Sequence, residues 1–416
     1  MSGQSLPPSG SKLQIEHDGQ ELYVTFIKED SGYGVFKLAS GYNVRFPLAD
    51  VKIIKIYDIS QDHRKTIKEE TNIGRGAHRI SLLSTGGTIS SRVDYTTGAV
   101  RPTKDLSFIR EAISDLEDRI NLRTEIIDSI LSENMTPSHW IKISHDIKKA
   151  MESSEAVVLL HGTDTMSYTA SALSFMFEKQ TAPVIMTGSQ RSSDRPSSDA
   201  FENIESSIRF SLENIGEVGI CMHANSSDGS AILIRGVRAR KMHTSRRDAF
   251  KPMGDGEMGR INDRRTYIKN IRKKTDSSIE LFDQLDSRCG IFYFTPASSE
   301  EELENFSRGK KAVVIMATGL GHVAEALLKK IRDLSDSGVH IVITSQCLNG
   351  RVDLDVYASG RNLSASGAIP VEDMLPETAM VKSMYALKKD PDNFAKLMQS
   401  DLRGEITLRS ETVEIR

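Results

Sequence analysis

The sequence predicts an α/β protein in which a small, SH3-like β-barrel domain precedes two α/β domains with parallel sheets and helices on both faces. Three observations support this prediction. Between Glu21 and Ile59, short segments alternate polar and apolar residues and are separated by turns that contain glycine, a pattern typical of an antiparallel meander. After residue 77, brief apolar runs alternate with helical patterns, as in a parallel sheet covered by helices. The same alternation restarts after a charged interruption at 262–288.

The first 77 residues divide into three parts by composition. Residues 1–11 are rich in serine, glycine and proline and are predicted to be a disordered tail. Residues 12–60 are predicted to form the barrel, with about five strands. Residues 61–77 are polar and end in glycines, so we interpret them as a linker.

The larger α/β domain is predicted to span 78–261. Its strand segments are continuously apolar, as expected for strands buried on both faces, and the helices between them repeat apolar residues at intervals of three and four. The strand segments are 80–84, 156–160, 183–187 and 219–223, and the helical segments are 166–178 and 199–213.

The charged segment 262–288 is interpreted as an inter-domain linker, and 289–416 as a smaller α/β domain. The smaller domain repeats the same alternation of buried strand and amphipathic helix. Its predicted strands are 290–294, 312–316 and 340–344, and its predicted helices are 324–334 and a final one that begins near Pro376.

The composition of the 416 residues restricts the function. A net charge of −3 excludes a nucleic-acid footprint over the whole surface, and 6% aromatic residues argue against a groove of stacked bases. The cysteines Cys221, Cys289 and Cys347 form no CxxC pair, which indicates a reducing compartment and no structural zinc site. The N-terminal segment is too polar for a signal peptide, and no apolar run is long enough to span a bilayer. We therefore expect a cytoplasmic protein with no membrane contact.

Three of the predicted strands end in polar loops, with the sequences STGGTIS, HGTDT and GSQRSSDRP. The carboxyl ends of parallel strands meet at one edge of a sheet, where α/β proteins gather their functional groups. We therefore expect Thr88, Thr163, Asp164 and Ser189 to lie near one another.

The Gly86-Gly87 pair is not typical of a phosphate loop. STGGTIS lacks the lysine of a P-loop and the glycine spacing of a dinucleotide fingerprint, and TGLG at 318–321 lacks the third glycine. A tight turn, which glycine permits by accepting positive φ, and a functional loop are about equally compatible with the glycines alone.

The HGTDT loop also allows two interpretations. Thr163 and Asp164 precede a helix and could simply cap it. A threonine hydroxyl becomes a nucleophile only when a base takes its proton, and a lysine held by an aspartate can be that base. Lys241 is the candidate, although the charge pattern around it alone favours a solvated basic surface.

The motifs STGGTIS with DYTTG, HGTDTMSYTASAL, PVIMTGSQR and RKMHT occur in this order. Together they resemble the bacterial-type L-asparaginase and glutaminase family. The likeness covers about 78–416 and includes ATGLGHV and VEDMLPETAMVKSMYAL near the C-terminus. It implies the two-domain asparaginase-like fold and hydrolysis of a side-chain amide without a metal or organic cofactor in this chain.

The resemblance also implies roles for individual residues. Thr88 would be the nucleophile, and Tyr95 would lie over it and help to move its proton. Thr163, Asp164 and Lys241 would form a second triad in which the lysine and the aspartate polarise the Thr163 hydroxyl.

The substrate's α-carboxylate and α-ammonium would be bound by different residues. Ser132 would bind the α-carboxylate, whereas Asp164 and Glu133 would bind the α-ammonium. Glu133 departs from the glutamine that the family often has there, but a carboxylate suits an ammonium.

Three histidines are interpreted as structural. His161 lies at a strand end, but the family gives it no catalytic role. His223 and His322 are not interpreted as metal ligands because the sequence has no HExxH or comparable cluster.

The chain ahead of residue 78 and the segment 262–288 are additions to a plain asparaginase. This arrangement resembles the glutaminase (D) subunits of archaeal-type tRNA-dependent amidotransferases. The resemblance implies that the chain hydrolyses glutamine and passes ammonia to a partner, the amidotransferase E subunit. The partner would use ATP and magnesium to convert Glu-tRNA(Gln) to Gln-tRNA(Gln), in a D2E2 assembly.

Two alternatives to the amidotransferase component stay open. One is a free-standing L-asparaginase with an unrelated N-terminal domain, because glutamine and asparagine differ by one methylene, worth about 0.8 kcal/mol of burial. The other is a non-catalytic scaffold that binds RNA through its β domain. The intact set of Thr88, Thr163, Asp164 and Lys241 argues against the scaffold.

Overall fold

The computed structural model places a small antiparallel sheet ahead of two α/β sheets. The structure describes residues 6–7, 10–38, 42–57, 71–87, 89, 91–93, 100–102, 108–193, 195 and 197–407. The strands are β1 (Lys12–His17), β2 (Gln20–Asp30), β3 (Tyr33–Leu38), β4 (Asn43–Pro47), β5 (Lys52–Tyr57), β6 (Thr71–Ile73), β7 (His78–Ser84), β8 (Ser91–Val93), β9 (Val100–Pro102), β10 (Ile120–Ile126), β11 (Ala156–Leu160), β12 (Phe177–Lys179), β13 (Val184–Thr187), β14 (Val218–His223), β15 (Ser230–Arg235), β16 (Ala239–Lys241), β17 (Phe250–Pro252), β18 (Glu257–Asn262), β19 (Arg265–Ile268), β20 (Glu280–Leu281), β21 (Cys289–Tyr293), β22 (Ala312–Ala317), β23 (His340–Ser345) and β24 (Ala368–Pro370). The helices are α1 (Phe108–Ala112), α2 (Pro137–Met151), α3 (Met166–Met176), α4 (Ala200–Ser211), α5 (Glu300–Ser307), α6 (Leu327–Asp336), α7 (Ala358–Ala365), α8 (Pro376–Lys389) and α9 (Phe394–Gln399).

The small domain is a five-stranded antiparallel sheet in the order β4-β3-β2-β1-β5. Two-residue loops join β1 to β2 and β2 to β3. In each loop both residues have positive φ, namely Asp18-Gly19 and Ser31-Gly32, which matches the twist of adjoining strands. The predicted small β domain is confirmed. The described pairings do not include one between β4 and β5, so closure into a barrel stays a prediction.

Two predicted boundaries in the N-terminal part need correction. Gly10 and Ser11, assigned to a disordered tail, exchange backbone hydrogen bonds with Phe26. Thr71–Ile73, assigned to the linker 61–77, pairs with β10 as an edge strand. Both segments are too short to show a strand pattern of their own. Each is held by pairing with another strand, β2 in the first case and β10 in the second.

The large sheet has nine strands in the order β19-β18-β15-β14-β13-β11-β7-β10-β6. The five neighbours from β14 to β10 run parallel. Four of them, β14, β13, β11 and β7, were predicted as parallel strands, whereas β10 was not predicted. The edge strands are antiparallel, so the sheet is mixed rather than wholly parallel. Strands β18 and β19 also carry the sheet past the predicted boundary at residue 261, and β19 and β20 lie inside the segment interpreted as linker.

Helices cover both faces of the large sheet, and β11 shows why. Val157 and Leu159 point to one side, where they pack with α2 and α3. Ala156, Val158 and Leu160 point to the other side, where they pack with α1 and α4. A strand buried on both faces has a continuous apolar sequence, so the prediction of helices on both faces is confirmed.

The smaller sheet is parallel throughout, in the order β21-β22-β23-β24. Val313 and Ile315 of β22 pack with α5 and α6, whereas Ala312 and Val314 pack with α8 and α9. The second predicted α/β unit is therefore present.

The two α/β units are joined by buried polar contacts. The Arg238 side chain, 1% exposed, lies between them and forms an ion pair with Asp373 at 3.0 Å. Ser171 on α3 lies 3.1 Å from Thr378 on α8, whose hydroxyl donates to Val237 O. Within the described ranges, no helix combines the length and apolar character that crossing a membrane requires.

Candidate active site

The Gly86-Gly87 pair bends the chain directly after β7. Both glycines have positive φ, 97° and 83°. A Cβ on Gly87 would lie 2.5 Å from the Cα and N of Gly162, closer than backbone atoms allow. The glycines therefore do more than turn the chain, because they let this loop pack against the HGTDT loop after β11. Thr88 and Tyr95 lie outside the described residues.

Two further close contacts bring the other predicted loops to the same place. A Cβ on Gly162 would lie 2.7 Å from the Cβ of Ser132. A Cβ on Gly188, after β13, would lie 2.9 Å from Thr163 Cγ2. The loops that follow four adjacent strands of the sheet, β10, β7, β11 and β13, thus converge at one edge. The sequence predicted this convergence for the loops after β7, β11 and β13, which carry Thr88, Thr163, Asp164 and Ser189, and the prediction for Thr88 itself falls outside the described residues.

Lys241 connects the HGTDT loop to a distant strand. Its Nζ donates to Thr163 Oγ1 at 2.9 Å and to Asp164 Oδ1 at 2.7 Å. Thr163 is buried, Lys241 is mostly buried and Asp164 is exposed. Lys241 ends β16, where it pairs with Phe250 of β17, so a two-stranded ribbon fixes the position of its side chain. The three residues can hold a proton between a threonine hydroxyl and a lysine amine.

The predicted substrate-binding residues flank this group. Ser132 is buried and begins a short 3₁₀ turn, and its carbonyl accepts a hydrogen bond from Thr165 Oγ1 at 2.7 Å. Glu133 is exposed on the same turn. Ser189 is fully buried, and its hydroxyl has no partner among the described residues.

His161 is held as a neutral imidazole. Its Nδ1 lies 2.7 Å from Gly162 O, which can only accept, so Nδ1 carries the proton. Nε2 accepts from Thr169 Oγ1 at 3.0 Å, and Thr169 in turn accepts from Trp140 Nε1 at 3.0 Å. Complete burial lowers the pKa of His161 to about 4. Both ring nitrogens are occupied, which leaves none for a substrate.

Sequence reasoning gave no role to Asp199, which organises the loop after β13. This carboxylate accepts hydrogen bonds from the backbone N–H groups of Gln190 and Arg191 at 3.0 Å and from Asn203 Nδ2 at 3.1 Å. Burial raises the pKa of Asp199 despite these donors. The signal in the sequence was an aspartate directly before α4. Because aspartate at this position usually caps the helix, the pattern did not indicate a role in the loop.

Two family profiles match most of the chain from residue 79 onward. The family described as "Asparaginase, N-terminal" matches residues 79–273, and the "Glutaminase/Asparaginase C-terminal domain" matches 288–398. Among solved structures, the thermostable L-asparaginase from Thermococcus kodakarensis is 27% identical with a TM-score of 0.72, over 79% of this chain and 99% of that one. L-asparaginase I from Vibrio cholerae is 28% identical with a TM-score of 0.70, over 80% and 99%.

Curated relatives extend the match over nearly the whole chain. The D subunit of the Thermoplasma volcanium glutamyl-tRNA(Gln) amidotransferase is 44% identical over 398 residues, which are 95% of this chain and 97% of the relative. The chain belongs to the amidotransferase D-subunit branch of the asparaginase family. The corresponding D subunit of Pyrococcus horikoshii is 39% identical over 94% of this chain and 93% of the relative.

The two kinds of similarity differ in extent. The asparaginase profiles begin at residue 79, so the sheet formed by β1–β5 lies outside them. The alignments with D subunits cover 94–95% of the chain and thus include most of that sheet. The predicted resemblance to amidotransferase D subunits is confirmed.

Proposed function

We propose that this chain is the glutaminase component of a tRNA-dependent amidotransferase. It hydrolyses glutamine to glutamate and ammonia, and the ammonia converts Glu-tRNA(Gln) to Gln-tRNA(Gln) on a partner protein that consumes ATP. The observation that carries this proposal is the extent of similarity: D subunits match the chain including its N-terminal sheet, whereas L-asparaginase structures match 79–80% of it.

Thr88 is proposed as the nucleophile of the first step. Its hydroxyl oxygen bonds to the side-chain amide carbon, and Tyr95 relays the hydroxyl proton to the amide nitrogen. The tetrahedral oxyanion then collapses, the carbon–nitrogen bond breaks, and ammonia leaves. The backbone N–H groups of the glycine loop and of the neighbouring HGTDT loop are proposed to stabilise the oxyanion. Support comes from the packing of Gly87 on Gly162, which sets the two loops side by side.

The second triad is proposed to act on the water that hydrolyses the acyl-enzyme ester, as well as on the attacking hydroxyl. A Lys241 amine accepts the proton of Thr163, and Asp164 holds the lysine in place. The 2.9 Å and 2.7 Å hydrogen bonds of Lys241 Nζ supply the required geometry. Water gives a proton to the triad as its oxygen adds to the ester carbon. The proton passes to the Thr88 oxygen as that oxygen leaves, and glutamate is released.

Substrate binding is proposed to use charge complementarity around the α-carbon of glutamine. Ser132 binds the α-carboxylate, and Asp164 with Glu133 binds the α-ammonium. Asp164 and Glu133 are both exposed, which leaves their carboxylates accessible to a ligand.

The proposed assembly is D2E2, with the amidotransferase E subunit as the partner and Glu-tRNA(Gln) as the substrate of the complex. ATP and magnesium are assigned to the E subunit, and no cofactor is assigned to this chain. The complex is proposed to act in the cytoplasm. The relatives are named as subunits of glutamyl-tRNA(Gln) amidotransferases, which supports an assembly of several subunits. The E subunit and the D2E2 stoichiometry are what the resemblance to D subunits implies, and the lack of a P-loop motif supports placing ATP on the partner.

The test measures ammonia release by this chain alone and with the E subunit, ATP and Glu-tRNA(Gln). We expect weak glutamine hydrolysis alone and strong stimulation in the complete mixture. In that mixture Lys241→Ala should lower kcat by about 10²–10⁴-fold, the usual contribution of a proton-transfer group. Lys251→Ala is the matched control, because Lys251 lies on the adjoining strand and also pairs with an aspartate, Asp248, at 2.8 Å.

Two outcomes would contradict the proposal. Full activity towards asparagine without any effect of the E subunit or tRNA would favour the free-standing L-asparaginase. Unchanged glutamine hydrolysis in Lys241→Ala would show that Thr163, Asp164 and Lys241 do not take part in catalysis. A diazoketone analogue of glutamine provides a separate readout, since its adduct should map by peptide mass to Thr88 and not to Thr163.

A further inference from the structure

Three side chains from three elements converge outside the proposed active site. Glu202 lies on α4, His223 ends β14, and Asp228 lies in the loop between β14 and β15. One ligand atom from each lies within 4.8 Å of the others. Carboxylate oxygens and an imidazole nitrogen are ligands that Zn²⁺ and related divalent ions accept.

His223 supplies the observation that separates this group from an ordinary acidic cluster. Its side chain is 0% exposed, and its Nε2 has no hydrogen-bond partner among the described residues. Nε2 lies 3.1 Å from Glu202 Oε2 and 3.6 Å from Asp228 Oδ1, without the geometry of a hydrogen bond. A fully buried nitrogen thus points into the cluster with its bonding capacity unused.

The tautomer of His223 is set by its neighbour Asn203. The Asn203 amide nitrogen donates to Gly188 O at 2.9 Å and to Asp199 Oδ2 at 3.1 Å, so its oxygen faces the imidazole. That oxygen lies 2.7 Å from His223 Nδ1, which must therefore carry the proton. In the neutral imidazole the lone pair is then on Nε2, the form that ligates metals.

Two of the three separations between the ligand atoms, those that involve His223, fit a common ion. Two ligand atoms placed about 2.1 Å from one ion subtend about 95° when they are 3.1 Å apart and about 118° when they are 3.6 Å apart. These are the distances from His223 Nε2 to Glu202 Oε2 and to Asp228 Oδ1. Both angles lie near the tetrahedral value. Three protein ligands would leave the fourth position to water.

Each ligand group is also oriented by a second partner, as is usual around bound metals. Asn203 holds His223, and the backbone N–H of Gly229 donates to Glu202 Oε1 at 2.6 Å. Arg247 Nη1 donates to Asp228 Oδ1 at 2.5 Å. A carboxylate oxygen has a second lone pair, so this contact still permits coordination.

We propose that Glu202, His223 and Asp228 form a binding site for a divalent transition-metal ion, with Zn²⁺ as the best-fitting ion. The site is independent of the proposed function. It would tie α4 and β14 together and would fix, through Asn203, the Gly188 carbonyl beside Thr163. The sequence favoured a structural role for His223 because it contains no HExxH or comparable cluster.

The test is calorimetric titration of the metal-stripped full chain with Zn²⁺. We expect saturable binding of one ion, weakened at least tenfold by Asp228→Asn and by Glu202→Gln. Asp228 is 76% exposed, so its variant should fold even if a change at the buried His223 does not. His145→Asn is the matched control, because His145 also lies 2.9 Å from a carboxylate, Asp283, but is half-exposed.

Two independent readouts complete the test. Visible absorption of bound Co²⁺ should report a nitrogen and oxygen ligand set in the unaltered chain and disappear in Asp228→Asn. Added Zn²⁺ should raise the Tm of the unaltered chain and leave that of Asp228→Asn unchanged. Absence of saturable binding, or an affinity in both carboxylate variants equal to that of the unaltered chain, would overturn the proposal. So would a loss of binding confined to His145→Asn, since it would place the ion on the surface pair.

Discussion

The packing of Gly87 against Gly162 predicts that a single added methyl group separates the two loops that we propose to be catalytic. In Gly87→Ala the new Cβ would lie 2.5 Å from the Cα and N of Gly162. Ordinary van der Waals contact begins about 1 Å farther out. Both partners are backbone, so no side-chain rotation relieves the clash and the loops themselves must move apart.

The expected loss of folding stability in Gly87→Ala has two causes. Gly87 has φ of 83°, and an L-residue in that conformation costs about 1–2 kcal/mol. The clash adds about 1–3 kcal/mol, the usual cost of overpacking. A displacement of about 1 Å at a catalytic group lowers the rate by about 10²-fold, so we expect a loss of about 2–5 kcal/mol in stability together with about 100-fold lower kcat/KM.

Gly309→Ala is a control that carries the cost of positive φ without the steric clash. Gly309 has a similar φ of 72°, but its added Cβ would meet no atom within 4 Å. We therefore expect this control to lose only about 1–2 kcal/mol, the φ cost, and to keep full glutaminase activity. The assay is glutamine hydrolysis by the chain with the E subunit and Glu-tRNA(Gln), alongside urea unfolding of each variant.

Two results would contradict this expectation. One is a kcat/KM of Gly87→Ala within about twofold of the unaltered chain, far from the 10²-fold loss expected. It would show that the contact does not position the two loops that we propose to be catalytic. Equal losses of stability in both variants would show that the clash is absorbed without cost.

Three further predictions concern buried polar groups. Because burial lowers the pKa of His161 from 6.5 to about 4, only the unfolded chain binds that proton between these values. The free energy of unfolding should therefore fall by up to about 3 kcal/mol as pH drops from 6.5 to 4, and His161→Gln should lose this part of the slope in urea titrations. Arg238→Ala should cost about 3–5 kcal/mol because it removes the charged partner of the mostly buried Asp373 carboxylate, which among the described residues keeps only the hydrogen bonds from Thr407. Arg260→Ala removes a half-exposed ion pair and should cost less than about 1 kcal/mol. Asp199→Ala should cost about 1–3 kcal/mol in urea unfolding and lower glutaminase kcat/KM, because it leaves two backbone N–H groups of the loop after β13 without their acceptor.

The apolar pattern predicted the central strands well. β7, β11, β13 and β14 are continuous apolar runs in sequence and lie at the centre of the large sheet. Such runs arise because both faces are covered by helices. The edge strands β6 and β19 were missed, since each is three or four residues long and lies among charged residues. Their pairing comes from long-range contacts, which a local pattern does not contain.

The site was predictable where its geometry follows from the topology. Adjacent parallel strands end at one edge, which was sufficient to place Thr163 beside the loop of Gly86-Gly87 and beside Gly188. Lys241 follows the antiparallel strand β15 and an intervening turn, so its contact with Thr163 depended on family resemblance. Networks such as Asp199 with Asn203 could not be predicted, because their hydrogen bonds depend on the exact path of a loop.

We propose that this chain supplies ammonia to a partner protein and does not itself act on tRNA. The most direct measurement is formation of Gln-tRNA(Gln) by the complex of Lys241→Ala with the E subunit, using either glutamine or free ammonia as nitrogen donor. We expect that glutamine no longer supports the reaction, whereas ammonia supports it at the rate of the unaltered complex. Glutamine-dependent formation at the unaltered rate, or loss of the reaction with both donors in a complex that still assembles, would contradict it.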